Sequence, residues 1–198
     1  MKFAKSISAS GYGRFLFPLA AIFAGLALNP VFSLAQRAEA APQLQRLNVT
    51  TDAFKNGDRV PVKYTRDGED VAPSLKWSAV PAHTKSVAVC CFDPDAPGGT
   101  WWHWIIVNLP PSTTSLAEGT PRSVSLGNGA VQGFSDFDRT GYGGPNPPPG
   151  KLHHYFFRVY ALDTVIAPGE RLDKNSFQSK LANHILAAGE VVGTYSRP

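Results

Sequence analysis

Cysteine is scarce in this 198-residue chain, and the two that occur, Cys90 and Cys91, are adjacent. Neighbouring side chains of a β-strand point to opposite faces, so these thiols are poorly placed to bond to each other. The chain therefore lacks the disulfide framework that stabilises many small secreted proteins, and its stability has to come from packing. The pair is best interpreted as two thiols buried in a strand, with an intermolecular bridge through an exposed thiol as the alternative.

Clusters of basic residues are also missing. The formal net charge is +4, from 19 basic and 15 acidic residues, but residues 1–40 hold four of the basic residues and one of the acidic ones. The remaining 158 residues therefore contain 15 basic and 14 acidic residues, a net charge of +1. Nucleic-acid binding requires clustered Lys and Arg, so we exclude a nucleic-acid partner.

The one long apolar run, Phe15–Leu28, is short for a bilayer and contains a proline and a glycine. It follows a basic start and precedes Ala38-Glu39-Ala40, small residues at the spacing that signal peptidase recognises. We predict that residues 1–40 are a cleaved signal peptide, with Ser33-Leu34-Ala35 as a second cleavage site. An uncleaved anchor is the alternative. Residues 41–198 are then a single domain, periplasmic or secreted, with no stable membrane anchor.

Short apolar runs separated by turn residues dominate this domain. Ser86–Phe92, Trp104–Leu109 and Tyr155–Leu162 are nearly continuous apolar runs, which predicts central strands covered on both faces. Further strand candidates are residues 47–49, 59–64, 75–77 and 191–195. The pattern predicts a mainly β domain.

One helix is predicted near the C terminus. Asn175 and Gln178 have the spacing of a capping box. Apolar residues then recur at helical spacing at positions 177, 181, 185 and 188, and Gly189 fits a helix stop.

Residues 110–150 are rich in proline and glycine. A long irregular stretch inside a compact domain is either functional or disordered. Its aromatic residues Phe134, Phe137 and Tyr142 favour an ordered, packed loop.

Polar residues lie at the ends of all three predicted central strands. Asp93 and Asp95 follow the first on a proline-stiffened turn, His103 precedes the second, and His153-His154-Tyr155 opens the third. If these ends meet, they form one pocket, with Trp101, Trp102 and Trp104 as an apolar wall. A carboxylate beside a histidine favours the imidazolium, and converging imidazolium, hydroxyl and glycine N–H donors suit an oxyanion such as phosphate. Binding should then weaken as pH rises through the histidine range.

Other interpretations of these residues stay open. Two His and two Asp could bind zinc, but neither H-E-x-x-H nor C-x-x-C spacing is present. Nucleophilic catalysis has no G-x-S-x-G elbow, and cysteines inside an apolar run give no reason for a lowered pKa. Asp93 could cap only its own turn, and His103 could be a buried histidine with one satisfied hydrogen bond.

Two long motifs resemble a known family. DPDAPGGTWWHWIIVNLP (93–110) resembles the first signature of the phosphatidylethanolamine-binding protein family, also called the Raf kinase inhibitor protein family, and GYGGPNPPPGKLHHYFFRVYALD (141–163) resembles its second. The flanking YTRDGEDVAPSLKW (64–77) and the terminal GTYSRP (193–198) look like the bacterial YbhB/YbcL-like branch. The resemblance spans residues 47–198.

The resemblance implies a β-sandwich-like fold with a large central sheet, a smaller sheet and few peripheral helices. It also implies a small pocket for phosphate-like anions or a phosphoethanolamine head group, with no catalytic residue, metal or cofactor. The ligand-binding residues carried over by motif are Asp93, Asp95, His103, Gly144, Pro145, His153 and Tyr155. In this scheme His103, His153, Tyr155 and the Gly144 amide donate to the anion, while the aspartates orient the histidines or an ammonium group.

We therefore expect an exported, non-enzymatic ligand-binding protein whose partner is a small phosphate-like anion or a phospholipid head group. Two alternatives come from other classes. One is a secreted inhibitor or interaction protein that contacts a protease, kinase or host protein through the pocket loops. The other is a phosphoester hydrolase, which would need an activated nucleophile or a metal.

Overall fold

The computed structural model describes residues 44–198, and these form two β-sheets with one α-helix. The elements in chain order are β1 (Gln45–Arg46), β2 (Val49–Thr50), β3 (Leu75–Trp77), β4 (Ser86–Asp93), β5 (Trp101–Leu109), β6 (Ser115–Leu116), β7 (Val131–Gln132), β8 (His153–Leu162), α1 (Lys174–Leu181) and β9 (Ile185–Tyr195). In this part of the chain, no helix is long and apolar enough to cross a membrane. The prediction of a signal peptide concerns residues outside the described range.

The larger sheet has six strands in the order β1-β9-β8-β4-β5-β7, and the smaller has three in the order β2-β3-β6. Strand β4 runs antiparallel to both β5 and β8. Because of this topology, the end of β4 meets the beginnings of β5 and β8 at one edge of the sheet. The mainly β, two-sheet fold predicted from the sequence is confirmed.

The central strands are buried on both faces, as their continuous apolar runs predict. Seven of the eight residues of β4 are buried. One face packs against the smaller sheet in a core that includes Cys91, Trp104 and Phe157. The other face packs under α1 in a second core that includes Cys90 and Phe177. The adjacent cysteines therefore lie in different cores as free, buried thiols, which confirms their alternation along a strand.

Two of the weaker strand predictions were wrong. Residues 59–64 form no strand, since Val62–Tyr64 is a 3-10 turn and Arg59 makes only an isolated bridge to Thr194. Pro61 has no N–H to donate to a ladder, which favours this irregular path. Residues 47–49 do not form one strand. Strand β1, which pairs with β9 in the larger sheet, ends before Leu47, and Val49 begins β2, which pairs with β3 in the smaller sheet.

The predicted helix begins earlier and ends sooner than its sequence pattern indicates. Its N-cap is Asp173, whose side chain accepts from Ser176 N while Ser176 Oγ accepts from Asp173 N. The helix ends at Leu181, and Asn183 has a φ of 67°. The apolar positions 185 and 188 belong to β9. Gly189 is not a helix stop, because it lies within β9 against Leu47, whose carbonyl oxygen an added Cβ would overlap.

Candidate functional site

A cavity of about 210 Å³ opens where the end of β4 meets the beginnings of β5 and β8. Its lining residues are Asp93, Ala96, Pro97, Trp101, His103, Phe137, Asn146, Pro147, Pro148, His153 and Tyr155. The three polar strand ends singled out in the sequence therefore share one cavity.

Asp93 and His153 form a buried pair on one side of the cavity. The Asp93 carboxylate accepts a hydrogen bond from His153 Nδ1 at 2.7 Å, and both side chains are almost fully buried. The other carboxylate oxygen accepts from Asp95 N at 2.8 Å. Asp93 therefore caps its own turn and also fixes the His153 ring, with the hydrogen on Nδ1 and Nε2 left for a ligand.

His103 lies beside this pair but is held differently. Its Nδ1 donates to Gly143 O at 2.6 Å, and its ring meets the rings of Phe137 and Tyr155 edge-on at 5.4 and 5.2 Å. Burial lowers the pKa of His103, so its ring is neutral near pH 7. The buried carboxylate of Asp93, which favours an imidazolium in its partner, pairs with His153 and not with His103.

Two polar atoms of the cavity lining are buried without a partner. His103 Nε2 and the Tyr155 hydroxyl make no hydrogen bond within residues 44–198. Burial raises the pKa of Tyr155, and the neighbouring Asp93 raises it further, so the hydroxyl keeps its proton and can donate it. An unsatisfied buried polar group costs about 1–3 kcal/mol, and a ligand that satisfies both atoms would remove that cost.

The apolar wall differs from the one predicted. Only Trp101 of the three tryptophans lines the cavity. A register shift, where Cys91 pairs with Trp104 but Phe92 pairs with Trp102, interrupts the alternation of β5. Trp102 therefore lies in the core under α1 and Trp104 in the core between the sheets. Phe137 supplies the neighbouring part of the wall, and Trp101 packs edge-on against it at 5.4 Å. The sequence predicted that Phe137 packs within an ordered loop, but no local pattern indicated that it lines the cavity.

Three of the predicted ligand-binding residues do not line the cavity. The Asp95 carboxylate accepts from both the backbone N and Nδ1 of His154 at 2.8 Å. Gly144 N donates to Asp70 Oδ1 at 2.7 Å, and Pro145 O accepts from Arg66 N. The proposed role of the Gly144 amide as an anion donor was therefore wrong, because a carboxylate of this chain already occupies it.

Asp70 anchors the loop that holds His103, and no motif in the sequence indicates this role. Its carboxylate accepts from Gly144 N and pairs with Arg122 and Arg139 at 2.7 Å each. Burial acts to raise the pKa of Asp70, but the Gly144 N–H and the two guanidiniums outweigh it and the pKa is lowered. The neighbouring Gly143 is the residue whose carbonyl holds the His103 ring. Only the tertiary fold, across 74 residues, brings Asp70 to this loop.

The described residues offer little for the alternative chemistries. Burial raises the pKa of the Cys90 thiol to about 12 and that of Cys91 well above its ordinary value. Within residues 44–198, no three or more His, Cys, Asp or Glu side chains are grouped in a way that could hold a metal ion.

Fold and cavity together define a two-sheet β protein with a small ligand pocket at the edge of its larger sheet. The family model of phosphatidylethanolamine-binding protein matches residues 50–196, and the chain belongs to this family. The resemblance of the two motifs is thereby confirmed.

Relatives match over most of the described chain. A UPF0098 protein of Methanothermobacter thermautotrophicus is 44% identical over 151 residues, which cover 76% of this chain and 99% of the relative. The UPF0098 protein YbhB of Escherichia coli is 37% identical over 163 residues, which cover 76% of this chain and 100% of YbhB. The crystal structure of E. coli YbcL, described as a new member of the mammalian PEBP family, matches with a TM-score of 0.71 at 36% identity, over 77% of this chain and 99% of that chain.

Proposed function

We propose that this protein is an exported, non-enzymatic binding protein whose cavity takes a small phosphate-type anion, with phosphoethanolamine as the model ligand. One observation carries the proposal: His103 Nε2 and the Tyr155 hydroxyl are buried, unpaired within residues 44–198, and line the same cavity. Two unsatisfied polar atoms in one small space favour a polar ligand that meets both.

The chemistry of the lining suits the two ends of phosphoethanolamine. The Tyr155 hydroxyl is a donor for a phosphate oxygen, and His153 Nε2 is a second ring nitrogen beside it. The Asp93 carboxylate, which lines the same cavity, offers a negative charge to the ammonium end. The volume of about 210 Å³ is below the range of about 300–1,000 Å³ that is typical of drug-sized ligands, which favours a ligand of this size.

A binding role fits the side chains better than catalysis. Both cysteines are buried with raised pKa values, which disfavours thiolate chemistry. The raised pKa of Tyr155 keeps its hydroxyl protonated and poorly nucleophilic. Export rests on the N-terminal sequence alone, with its basic start, short apolar run and Ala-x-Ala site, and residues 41–198 would then be the mature single domain.

Isothermal titration calorimetry with inorganic phosphate and phosphoethanolamine tests the proposal. Because hydrogen bonds to charged groups contribute about 1.5–3 kcal/mol, His103→Ala and Tyr155→Phe should each weaken binding roughly 10- to 100-fold. His184→Ala is the matched control, since His184 is half-exposed, pairs with Asp163 and precedes β9 at the end of the sheet opposite to His153. Unchanged affinity in His103→Ala would overturn the proposal.

A further inference from the structure

The His103 ring has one nitrogen whose role is fixed by the backbone. Nδ1 lies 2.6 Å from Gly143 O, and a carbonyl oxygen can only accept, so the hydrogen is on Nδ1. Gly143 cannot easily move away, because its own N donates to His103 O at 2.9 Å. An added Cβ on Gly143 would lie 2.6 Å from Phe137 Cδ2, so the loop is tightly packed here.

With its hydrogen on Nδ1, a neutral imidazole has an acceptor lone pair on Nε2. The titratable and charged groups around this ring are Asp93 from β4, His153 and Tyr155 from β8, Asp136 and Arg139 from the loop around Phe137, and Arg66, whose guanidinium lies over the Phe137 ring. None of them bonds to Nε2 within residues 44–198. His103 Nε2 is therefore an acceptor without a donor at the wall of the cavity.

The carboxylates near the ring are already engaged and supply no donor. Asp93 accepts from His153 Nδ1 and Asp95 N, and Asp136 accepts from Trp102 N and Lys174 Nζ. Burial also lowers the pKa of His103, so the free protein holds this ring neutral. No described residue supplies the donor that Nε2 lacks, so it has to come from a water molecule, from the ligand or as an additional proton.

A fully deprotonated phosphate group offers only acceptor oxygens, so it would face the Nε2 lone pair with no hydrogen between them. We propose that one proton is shared between His103 Nε2 and a ligand oxygen, and that the pocket therefore selects phosphomonoesters and inorganic phosphate over phosphodiesters. This rests on the proposed anion-binding function. It separates two sources of the same chemistry, because phosphoethanolamine is a monoester whereas an intact phospholipid head group is a diester.

The two ester classes differ in how they obtain the proton. A monoester has a second pKa of about 6, so near pH 6 roughly half of it already carries a P–OH that can donate to Nε2. A diester has no P–OH at this pH, so the proton has to be placed on the buried His103 ring. Near pH 6, we expect the diester to bind at least about tenfold more weakly, which corresponds to at least about 1.4 kcal/mol.

Linkage fixes the pH dependence. Above a pH of about 6, the complex with a monoester holds one proton more than the separated protein and ligand. The association constant should therefore fall by about tenfold per pH unit. This fall has the direction expected from the sequence, but its cause is the shared proton and not an imidazolium in the free protein.

Calorimetry of the purified protein with phosphoethanolamine and glycerophosphoethanolamine tests this inference. At pH 8, titrations in two buffers of different ionisation enthalpy should show uptake of about one proton per bound monoester. His103→Gln removes the ring nitrogen but retains an amide donor, so it should abolish the proton uptake and the preference for the monoester. His184→Gln, at the opposite end of the sheet, should retain both.

Three outcomes are distinguishable. A monoester preference with proton uptake in the wild-type protein supports the inference, whether or not His103→Gln folds. Binding of the monoester with no proton uptake at pH 8, or equal affinity for the two esters near pH 6, overturns it and leaves the proposed function standing. Failure of the wild-type protein to bind either ester overturns the proposed function itself.

Discussion

Replacing Asp70 should both destabilise the protein and loosen the ligand pocket. The carboxylate, only 17% exposed, holds the Gly144 N–H and the side chains of Arg122 and Arg139. Loss of a buried hydrogen bond to a charged group costs about 1.5–3 kcal/mol. The two guanidiniums are 39% and 33% exposed, so their contributions are nearer to surface values of about 0.2–1 kcal/mol each.

Backbone strain adds to this loss in Asp70→Ala. Asp70 has a φ of 57°, a conformation that costs most non-glycine residues about 1–2 kcal/mol and that Asp and Asn tolerate better. We therefore expect Asp70→Ala to lower the free energy of unfolding by about 4 kcal/mol, taking the contact and strain contributions together. For a protein of this size, this corresponds to a melting temperature lower by about 8–16 °C. Asp70→Asn, which retains one acceptor and the backbone preference, should lose about half as much.

Urea unfolding followed by tryptophan fluorescence measures this difference. Asp52→Ala is the control, because Asp52 also pairs with a cation, Lys76, but both side chains are more than half exposed; its unfolding midpoint should not change. The lowered pKa of Asp70 means that its contribution is present above the unfolded value of about 3.9. The contribution of the carboxylate contacts is lost as pH falls through the lower folded value, so the difference between the wild-type and Asp70→Ala curves should shrink in acid to the strain contribution. An Asp70→Ala protein as stable as the wild type at neutral pH would refute this account of the loop.

Two further predictions concern the thiols and the N terminus. Because Cys90 and Cys91 are fully buried with raised pKa values, neither thiol should react with a thiol reagent in the native protein. Both thiols should react once the protein is unfolded. Rapid labelling of the native protein, measured by mass spectrometry, would contradict their burial. The full chain expressed in a bacterium should appear in the periplasm or medium with a mass that corresponds to cleavage near Ala40, whereas an intact chain in the cytoplasm would argue against export.

The central strands were predictable because a strand that is buried on both faces requires a continuous run of apolar residues in the sequence. Ser86–Phe92 and Tyr155–Leu162 are almost entirely apolar, and each lies within a central strand of the larger sheet. The helix end was not predictable in the same way. Apolar residues at positions 177, 181, 185 and 188 fit a helical period, but the last two belong to a strand whose pairing with β8 extends from Ile185 to Tyr195.

The pocket was partly predictable for a related reason. Asp93, His103, His153 and Tyr155 lie at strand ends, and an antiparallel arrangement brings those ends together. The hydrogen-bond partner of each side chain was not predictable, because it depends on how the tertiary fold places these side chains. Asp93 pairs with one histidine and leaves the other neutral.

The same limit explains the errors in the loop. By motif, the Gly144 amide corresponds to a position that donates to the anion. Its N–H instead donates a hydrogen bond to Asp70, which is 74 residues away in the sequence. Phe137 lines the cavity, but it lies in a loop in which the apolar residues have no regular spacing. These contacts depend on packing between segments that are distant in the sequence, and composition and periodicity carry no information about such packing.

The central claim is that His103 and Tyr155 are ligand-binding groups, and a crystal structure with phosphoethanolamine tests it most directly. We expect one phosphate group within about 2.5–3.2 Å of both His103 Nε2 and the Tyr155 hydroxyl, with the ammonium end towards Asp93. A cavity that holds only water at saturating phosphoethanolamine, or a phosphate bound elsewhere on the molecule, would contradict it.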